Sequence, residues 1–313
     1  MRISVVIVTH NRRDDLRNTI KAFENQTYPD KEIIIIDNAS QDGTKDMMNE
    51  EFPYINYTWL PDNFDIRAIN IGIEFSTGDI IWRTDDDSYP ESPEAFERIV
   101  NIFLKYPDIH IIASQNVEVS SNYTESTQTH LELDRNNIPE KGYKYNYFPG
   151  TGAGIRREVI NKIGGFWGFG FEEIDFCTRA IASGFNIRFF PDLRVLHFSS
   201  PGGKTPDWKW VRVSQQLIRY QWKYFPFFRA LGRSLQFFTA QIFFGILNRV
   251  GFAAFMEGIF GMISSAFMAY RAERQVLPPD KLKDVTLGIS VSRSYYYLFK
   301  NILSKKIGKW KKN

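Results

Sequence analysis

Apolar positions in the first 82 residues fall into short runs separated by amphipathic stretches. Ile3 to Val8 is, but for Ser4, a β-branched run of the kind buried on both faces of a sheet. After the polar turn Asn11-Arg12-Arg13-Asp14-Asp15, the spacing of Leu16, Ile20 and Phe23 predicts a helix with one apolar face. The same alternation recurs. Ile33 to Ile36 predicts a second strand, and the polar turn Asp37 to Thr44 leads into a helical segment ending near Glu51. Tyr54 to Leu60 predicts a third strand, Ala68 to Phe75 a helix, and Asp79 to Trp82 a fourth strand. Such an order predicts an α/β fold with a mostly parallel, Rossmann-like sheet flanked by helices, which binds ligands at the carboxyl ends of its strands.

The fourth strand delivers Thr84-Asp85-Asp86-Asp87-Ser88 to an edge of that sheet. Three adjacent carboxylates repel one another and are costly to desolvate together without a cation, which points to a divalent metal, with oxygen ligands favouring Mg²⁺ or Mn²⁺. On this reading, removing Asp87 relieves repulsion and raises stability. In an extended segment Asp85 and Asp87 point one way and Asp86 the other, so an Asp-x-Asp pair is the natural clamp. The alternative is a solvated acidic turn. Asp37, just past the second strand, falls in the same crevice, where it either accepts a hydrogen bond from a base or ribose or caps the next turn. Thr9-His10-Asn11-Arg12 follows the first strand where a nicotinamide dinucleotide site needs Gly-x-Gly-x-x-Gly, which argues against that cofactor.

In order and spacing, Ile7-Val8-Thr9-His10-Asn11-Arg12, Ile36 to Thr44, Asn70 to Ile73 with Thr77-Gly78-Asp79, and Asp85-Asp86-Asp87 resemble the family 2 glycosyltransferases of the GT-A fold. The resemblance continues through Gly152 to Arg157, Ile163-Gly164-Gly165-Phe166, Glu172 to Arg179, Gly184-Phe185 and Val195-Leu196-His197, covering roughly residues 1 to 200. It implies inverting transfer of a sugar from a nucleotide-diphosphate donor to a glycan or lipid-linked acceptor. Carried over by position, Thr9 and Asn11 lie in the first nucleotide loop, Asp37 resembles the nucleobase-binding aspartate, and Asp86 belongs to the donor site. Asp85 resembles the residue facing ribose and metal, Asp87 the direct metal ligand, and His197 the histidine that completes the metal site in part of the family. Glu173 stands at the second position of the family's Glu-Asp pair, the catalytic base. Here the pair is Glu172-Glu173, one methylene longer, and Asp175 is the other candidate for the base or a holder of an acceptor hydroxyl or Arg179. The loop Asn63 to Asn70 is shorter and more acidic than the family's, and its Arg67 either reaches the donor diphosphate or pairs with Asp65.

Two further stretches, together with Glu172, belong to the acceptor side. Ser114 to Tyr147 is polar and without periodicity, which predicts a lid or acceptor loop. Phe148-Pro149-Gly150-Thr151-Gly152 follows it, and the small Gly152 permits close backbone approach to substrate. Trp167, in the aromatic run before Glu172, is either a platform for the apolar face of a sugar or a core residue.

Composition changes the picture beyond residue 203. The 313-residue chain carries a net charge of +3, but residues 1 to 203 hold 20 Lys+Arg against 31 Asp+Glu while residues 204 to 313 hold 19 against 5. The expected organisation is therefore a catalytic domain over 1–203 and a basic, amphipathic, membrane-associating helical region over 204–313. Segments such as Trp208-Lys209-Trp210 and Lys305 to Lys312 interleave aromatics with cations, and that pattern suits an anionic membrane surface. Insertion is expected from Phe237, Phe238, Ile242, Phe243 and Phe244. The uncharged stretches Ser234 to Asn248 and Gly258 to Tyr270 fall short of the ~20 residues of a comfortable span, so interfacial helices are expected. The acidic front half argues against nucleic acid. One cysteine, Cys177, excludes an internal disulfide framework, and the first residues lack a long apolar leader, so the expectation is a cytoplasmic chain held peripherally at the inner face of the membrane. The rival readings are a sugar-phosphate nucleotidyltransferase, whose Gly-rich first loop and following Lys are absent here, and a non-catalytic sugar-nucleotide-binding scaffold.

Overall fold

The computed structural model describes residues 1–119, 124–126, 133–134, 136–168, 170–198, 206–247 and 250–285. Described residues fall into two compact units, one within Met1–Thr127 and Leu133–Lys204, the other within Thr205–Asn313.

The first unit opens with the expected alternation: β1 (Ile3–Thr9), α1 (Arg13–Glu24), β2 (Lys31–Asp37), α2 (Thr44–Glu51), β3 (Asn56–Trp59), α3 (Ala68–Phe75) and β4 (Ile80–Asp85). It continues with β5 (Ser88–Pro90), α4 (Ala95–Lys105), β6 (Ile111–Glu118), β7 (Thr124–Ser126), β8 (Tyr143–Tyr145), β9 (Ala153–Arg156), α5 (Arg157–Ile163), α6 (Glu172–Ala182) and β10 (Ile187–His197). These strands form one sheet ordered β3-β2-β1-β4-β9-β6-β10-β5, with β7 on β6 and β8 on β10. The half β3-β2-β1-β4 is parallel, whereas β9 lies antiparallel between β4 and β6. The polar stretch expected as a lid from Ser114 gives its first residues to β6, whose side chains from Ile111 to Gln115 are buried in the sheet. The rest of that stretch at 120–123, 127–132 and 135 lies outside the described residues.

Alternate β1 residues pack on opposite faces, which is why the strand is apolar nearly throughout. Val5 and Ile7 pack on one face with Leu16, Ile20 and Phe23 of α1, and Val6 meets α3 on the other. There the helix comes so close that a Cβ at Gly72 would lie 2.5 Å from Val6 and 3.1 Å from Ile36. A separate aromatic core fixes α6. Phe166 stacks on Phe176 at 4.3 Å, Phe148 meets both edge-on, and all three rings are fully buried, worth roughly 1.5–3 kcal/mol each.

The second unit contains α7 (Pro206–Tyr224), α8 (Phe227–Leu247), α9 (Phe252–Ala272) and α10 (Pro279–Val285). Helices α7 and α9 pack along their length: Trp210 stacks on Phe255 at 5.3 Å near one end, and Arg219 pairs with Glu273 near the other. Two expectations change here. Phe237 is buried, so it packs in the protein instead of inserting in lipid, and Phe238 and Ile242 are half-buried. The side chains of Phe243 and Phe244, and the basic stretch Lys305 to Lys312, lie outside the described residues. In addition, α9 is a continuous helix of 21 residues with a mean hydropathy of 1.5 over its most apolar part, long and apolar enough to cross a membrane by length and composition. Counting uncharged runs fell short because Glu257 interrupts the run without ending the helix.

Candidate active site

β4 ends at Asp85, and a tight turn carries Asp86 and Asp87 before β5 begins at Ser88. Hydroxyls pin that turn from within: Thr84 and Ser88 both donate to the Thr151 carbonyl, at 2.9 and 2.8 Å, and Thr19 of α1 donates to the Asp86 carbonyl at 2.9 Å. Strand alternation therefore stops at Asp85, and the turn decides where Asp86 and Asp87 point.

Three cations meet the three carboxylates. Arg12, the residue before α1, reaches Asp86 at 3.0 Å and Asp87 at 2.8 Å. Asp86 also accepts from the Thr9 hydroxyl at 2.7 Å. Arg83, on β4 and 5% exposed, reaches Asp85 at 2.8 Å. His197, the last residue of β10, places Nε2 3.4 Å from Asp87 Oδ1 and Nδ1 2.8 Å from Glu118 of β6. The expected repulsion within the acidic cluster is thus largely neutralised by protein cations, so a metal is not needed on that ground alone.

The titration behaviour follows from this packing. Burial pushes Asp86 up to about 7 despite Arg12 and Thr9. Burial also works against the Asp87 carboxylate, but His197 and Arg12 outweigh it and hold the group below the usual range. For His197 burial disfavours the charged ring, yet Asp87 and then Glu118 lift it to about 9.

Metal fit rests on convergence instead. Ligand atoms of Asp85, Asp87 and His197 all lie within 4.8 Å of one another, and buried Asp87 Oδ1 has no donor among the described residues closer than His197 Nε2 at 3.4 Å. Two carboxylates and an imidazole suit a hard-to-borderline divalent cation such as Mg²⁺ or Mn²⁺. These residues fit the expected ion.

On the other side of Arg83 stands Glu173. The guanidinium lies 3.0 Å from the Glu173 carboxylate and donates to the Gly150 carbonyl. A Cβ at Gly150 would push aside the ends of both Arg83 and Glu173, so glycine there leaves room for their pairing. Burial raises Glu173 above the ordinary carboxylate range; Arg83 opposes this, and the neighbouring charges of Glu172 and Asp85 add to it. Glu172 is buried and raised for the same first reason. Burial likewise opposes the Arg83 charge, but Asp85, Glu173 and Glu172 more than hold it in place.

Asp175 faces elsewhere. It pairs with Arg179 at 2.7 Å, one turn along α6, and Arg179 donates to the carbonyls of Ile163 and Gly165. Asn70 of α3 holds the same loop through reciprocal bonds with the Phe166 backbone at 2.8 and 3.0 Å. Asp175 thereby anchors the loop that leads to Trp167, whose ring is 53% exposed and so is not a core residue.

Of the other expected site residues, Asp37 is fully buried, with its oxygens accepting from the Ser40 amide at 2.8 Å and the Tyr57 hydroxyl at 2.7 Å. Asn11 takes a left-handed backbone, φ 54°, and links the first loop to the second by bonding Ser40 and Gln41. Arg67 is exposed and donates to the Phe64 carbonyl at 3.4 Å. Gly152 is buried, and a Cβ there would approach Trp82 and Val195 to 2.8 Å, so its smallness serves the protein's own packing and not the approach of a substrate.

Arg12, Arg83, Glu118 and Tyr57 were not singled out by the sequence. Arg83 left one signal, a cation inside the apolar strand two residues before Asp85 and so on the same face.

The family model described as glycosyl transferase family 2 matches residues 4–164, just over half of the chain. The probable glycosyltransferase YdaM of Bacillus subtilis is 25% identical over 292 residues, covering 81% of this chain and 69% of its own. Among solved structures, the mannosyltransferase PcManGT from Pyrobaculum calidifontis, in complex with GDP-Man and Mn²⁺, aligns at a TM-score of 0.55 and 18% identity over 98% of this chain and 80% of its own. S. aureus TarS 1–349 in complex with UDP-GlcNAc aligns at 0.60 and 14% identity over 94% and 92%. These likenesses show a common fold.

Proposed function

Because the chain belongs to glycosyl transferase family 2, we propose that it moves a sugar, with inversion, from a nucleotide-diphosphate sugar to a hydroxyl of a glycan or lipid-linked acceptor in surface polysaccharide or glycolipid assembly. One observation carries the assignment of roles: Arg83 joins the metal-side Asp85 to Glu173, so a candidate metal site and a candidate base share one buried cation. Asp85, Asp87 and His197 would hold the divalent ion, which when bound neutralises charge on the leaving diphosphate. Glu173 takes the acceptor proton as the acceptor oxygen bonds to the anomeric carbon and the sugar–phosphate bond breaks on the opposite face. The loops of Thr9, Asn11 and Asp37 receive the nucleoside, Asp86 orders them through Thr9 and Arg12, and exposed Arg67 is available to the diphosphate. Exposed Trp167 offers its face to the acceptor sugar.

No observation favours nucleotidyl transfer. A non-catalytic scaffold is separated by experiment. Thermal midpoints are measured for the full chain with a panel that includes GDP-Man and UDP-GlcNAc, each with Mn²⁺ or Mg²⁺ or with EDTA, followed by assay of donor hydrolysis. The expected result is a metal-dependent rise for one donor class and slow hydrolysis of that donor. Binding without hydrolysis or transfer to any acceptor supports the scaffold, and no rise with any nucleotide sugar removes the donor site.

A further inference from the structure

We infer that one face of α9 is a docking surface for an anionic lipid bilayer, lying on the membrane and not crossing it. The helix has two opposite sides. Gly258, Met262, Ser265 and Ala269, spaced four, three and four apart, are buried. Trp210 and Gln215 of α7 press so closely on this side that a Cβ added at Gly258 or Gly261 would collide with them. On the other side Phe252, Phe260, Ile263 and Phe267 are 81, 63, 60 and 58% exposed, also at helical spacing. An apolar stripe of this length left open to water marks an interaction site.

Its chemistry favours a lipid surface. Exposed Arg271 lays its guanidinium 4.9 Å above the Phe267 ring, so the apolar stripe ends in a cation on an aromatic ring, while Arg274, 4.8 Å over Tyr270, ties that end down by donating to the Trp222 and Phe225 carbonyls. Trp222, Phe227 and Tyr270 cluster at that end, with centroids 5.4–6.0 Å apart. Beyond the described helices, residues 286 to 313 add seven Lys+Arg and no acid. Aromatics and basic side chains beside an apolar stripe are what a headgroup region with negative charge accommodates.

The packing also sets the mode. α9 lies lengthwise on α7, whose Arg212, Arg219 and Lys223 recur at every second turn or closer. Hydrocarbon around both helices would desolvate exposed Arg212, half-buried Lys223 and the Arg219–Glu273 pair at high cost, so only the open side of α9 enters lipid. Insertion passes from the expected α8 phenylalanines, of which Phe237 is buried, to the phenylalanines of α9.

The test is sedimentation of the full chain with vesicles of phosphatidylglycerol and phosphatidylcholine against phosphatidylcholine alone, at low and high salt, for wild type and the double substitution Phe260→Ser, Phe267→Ser. We expect wild type to bind the anionic vesicles and to be partly released by salt. The double variant should bind at least ~10-fold more weakly while hydrolysing donor at the wild-type rate without vesicles. Equal binding by wild type and variant overturns the assignment to α9. Failure of wild type to bind, with an oligomer that the double variant dissociates, overturns it in favour of a second copy as occupant. Carbonate-resistant wild type with no release by salt overturns the surface mode in favour of a span.

Discussion

Arg83 and Glu173 form a buried ion pair at 3.0 Å, with the arginine side chain 5% and the glutamate 13% exposed. A carboxylate enclosed beside Glu172 and near Asp85 drifts toward its neutral form, and a neutral acid cannot accept a proton. The arginine opposes that drift and fixes the direction of the carboxylate through its second anchor on Gly150. Burial still outweighs the arginine, so Glu173 becomes a base only as pH rises into its raised range, and the pairing fixes where the carboxylate points.

Glu173→Gln is expected to bind donor and metal as wild type does and to lose turnover by ~10² or more. Asp175→Asn should instead lower stability by about 1–2 kcal/mol, because Arg179 loses its partner in tying α6 to the Ile163–Gly165 loop, with turnover of the folded fraction within a few-fold of wild type. Steady-state kinetics alongside urea denaturation separates the two. Full turnover in Glu173→Gln with loss in Asp175→Asn would move the base to Asp175.

Arg83→Gln leaves Asp85 and Glu173 without their shared counter-charge and is expected to cost about 3–5 kcal/mol of stability. Arg83→Lys keeps the charge but not the fork that spans Asp85, Glu173 and Gly150, so it should fold, bind donor within a few-fold of wild type, and lose kcat by ~10-fold or more. A lysine variant with wild-type kcat would show that geometry at Arg83 is irrelevant to the base.

Glu173 also ties activity to pH. Burial raises its folded pKa above the unfolded value, so its contribution to stability is fully present below the unfolded pKa and is lost as pH rises through the folded one. Turnover needs the ionised form and should climb over that same range. Opposite trends of stability and kcat above about pH 4.5 are expected in wild type, with the stability slope shallower in Glu173→Gln. Parallel slopes of the two proteins in urea titrations across pH would remove Glu173 as the source.

Strands β1 and β2 were legible because a parallel strand covered on both faces needs a nearly continuous apolar run, as Ile3 to Val8, apolar but for Ser4, and Ile33 to Ile36 supply. β9 was not. Its four residues sit between β4 and β6, so its place depends on two partners distant in sequence that leave no local periodicity. At the site, the carboxylates were legible as a cluster at a strand end, whereas their counter-charges were not. Arg12 reads locally as part of a polar turn and Glu118 as part of a polar loop, and only the fold brings them to Asp87 and His197. The direction of Asp86 was misjudged because alternation holds only along a strand, and β4 ends one residue earlier.

The same counter-charges reverse the expected stability of Asp87→Ala. Repulsion within the triplet predicted a gain, but Asp87 is 4% exposed and binds Arg12 at 2.8 Å, with His197 at 3.4 Å. Its removal leaves the guanidinium with Asp15 and Asp86, and the imidazolium with Glu118 alone. A loss of about 1–3 kcal/mol is expected without metal, measured by urea denaturation at neutral pH. The pH dependence carries the signature of the pair. Asp87 is depressed, so its contribution is present above its unfolded pKa and lost as pH falls through the folded one; His197 is raised, so its contribution is full below about 6.5 and is lost as pH rises through about 9. Wild type should therefore lose stability toward pH 9, and Asp87→Ala should lose less over that interval because the main support of the charged imidazole is already gone. Mn²⁺ or Mg²⁺ with donor should raise the wild-type midpoint and leave that of the variant unmoved. A variant more stable than wild type would restore the repulsive picture of the cluster, and one that still gains from metal would take Asp87 out of the ligand set.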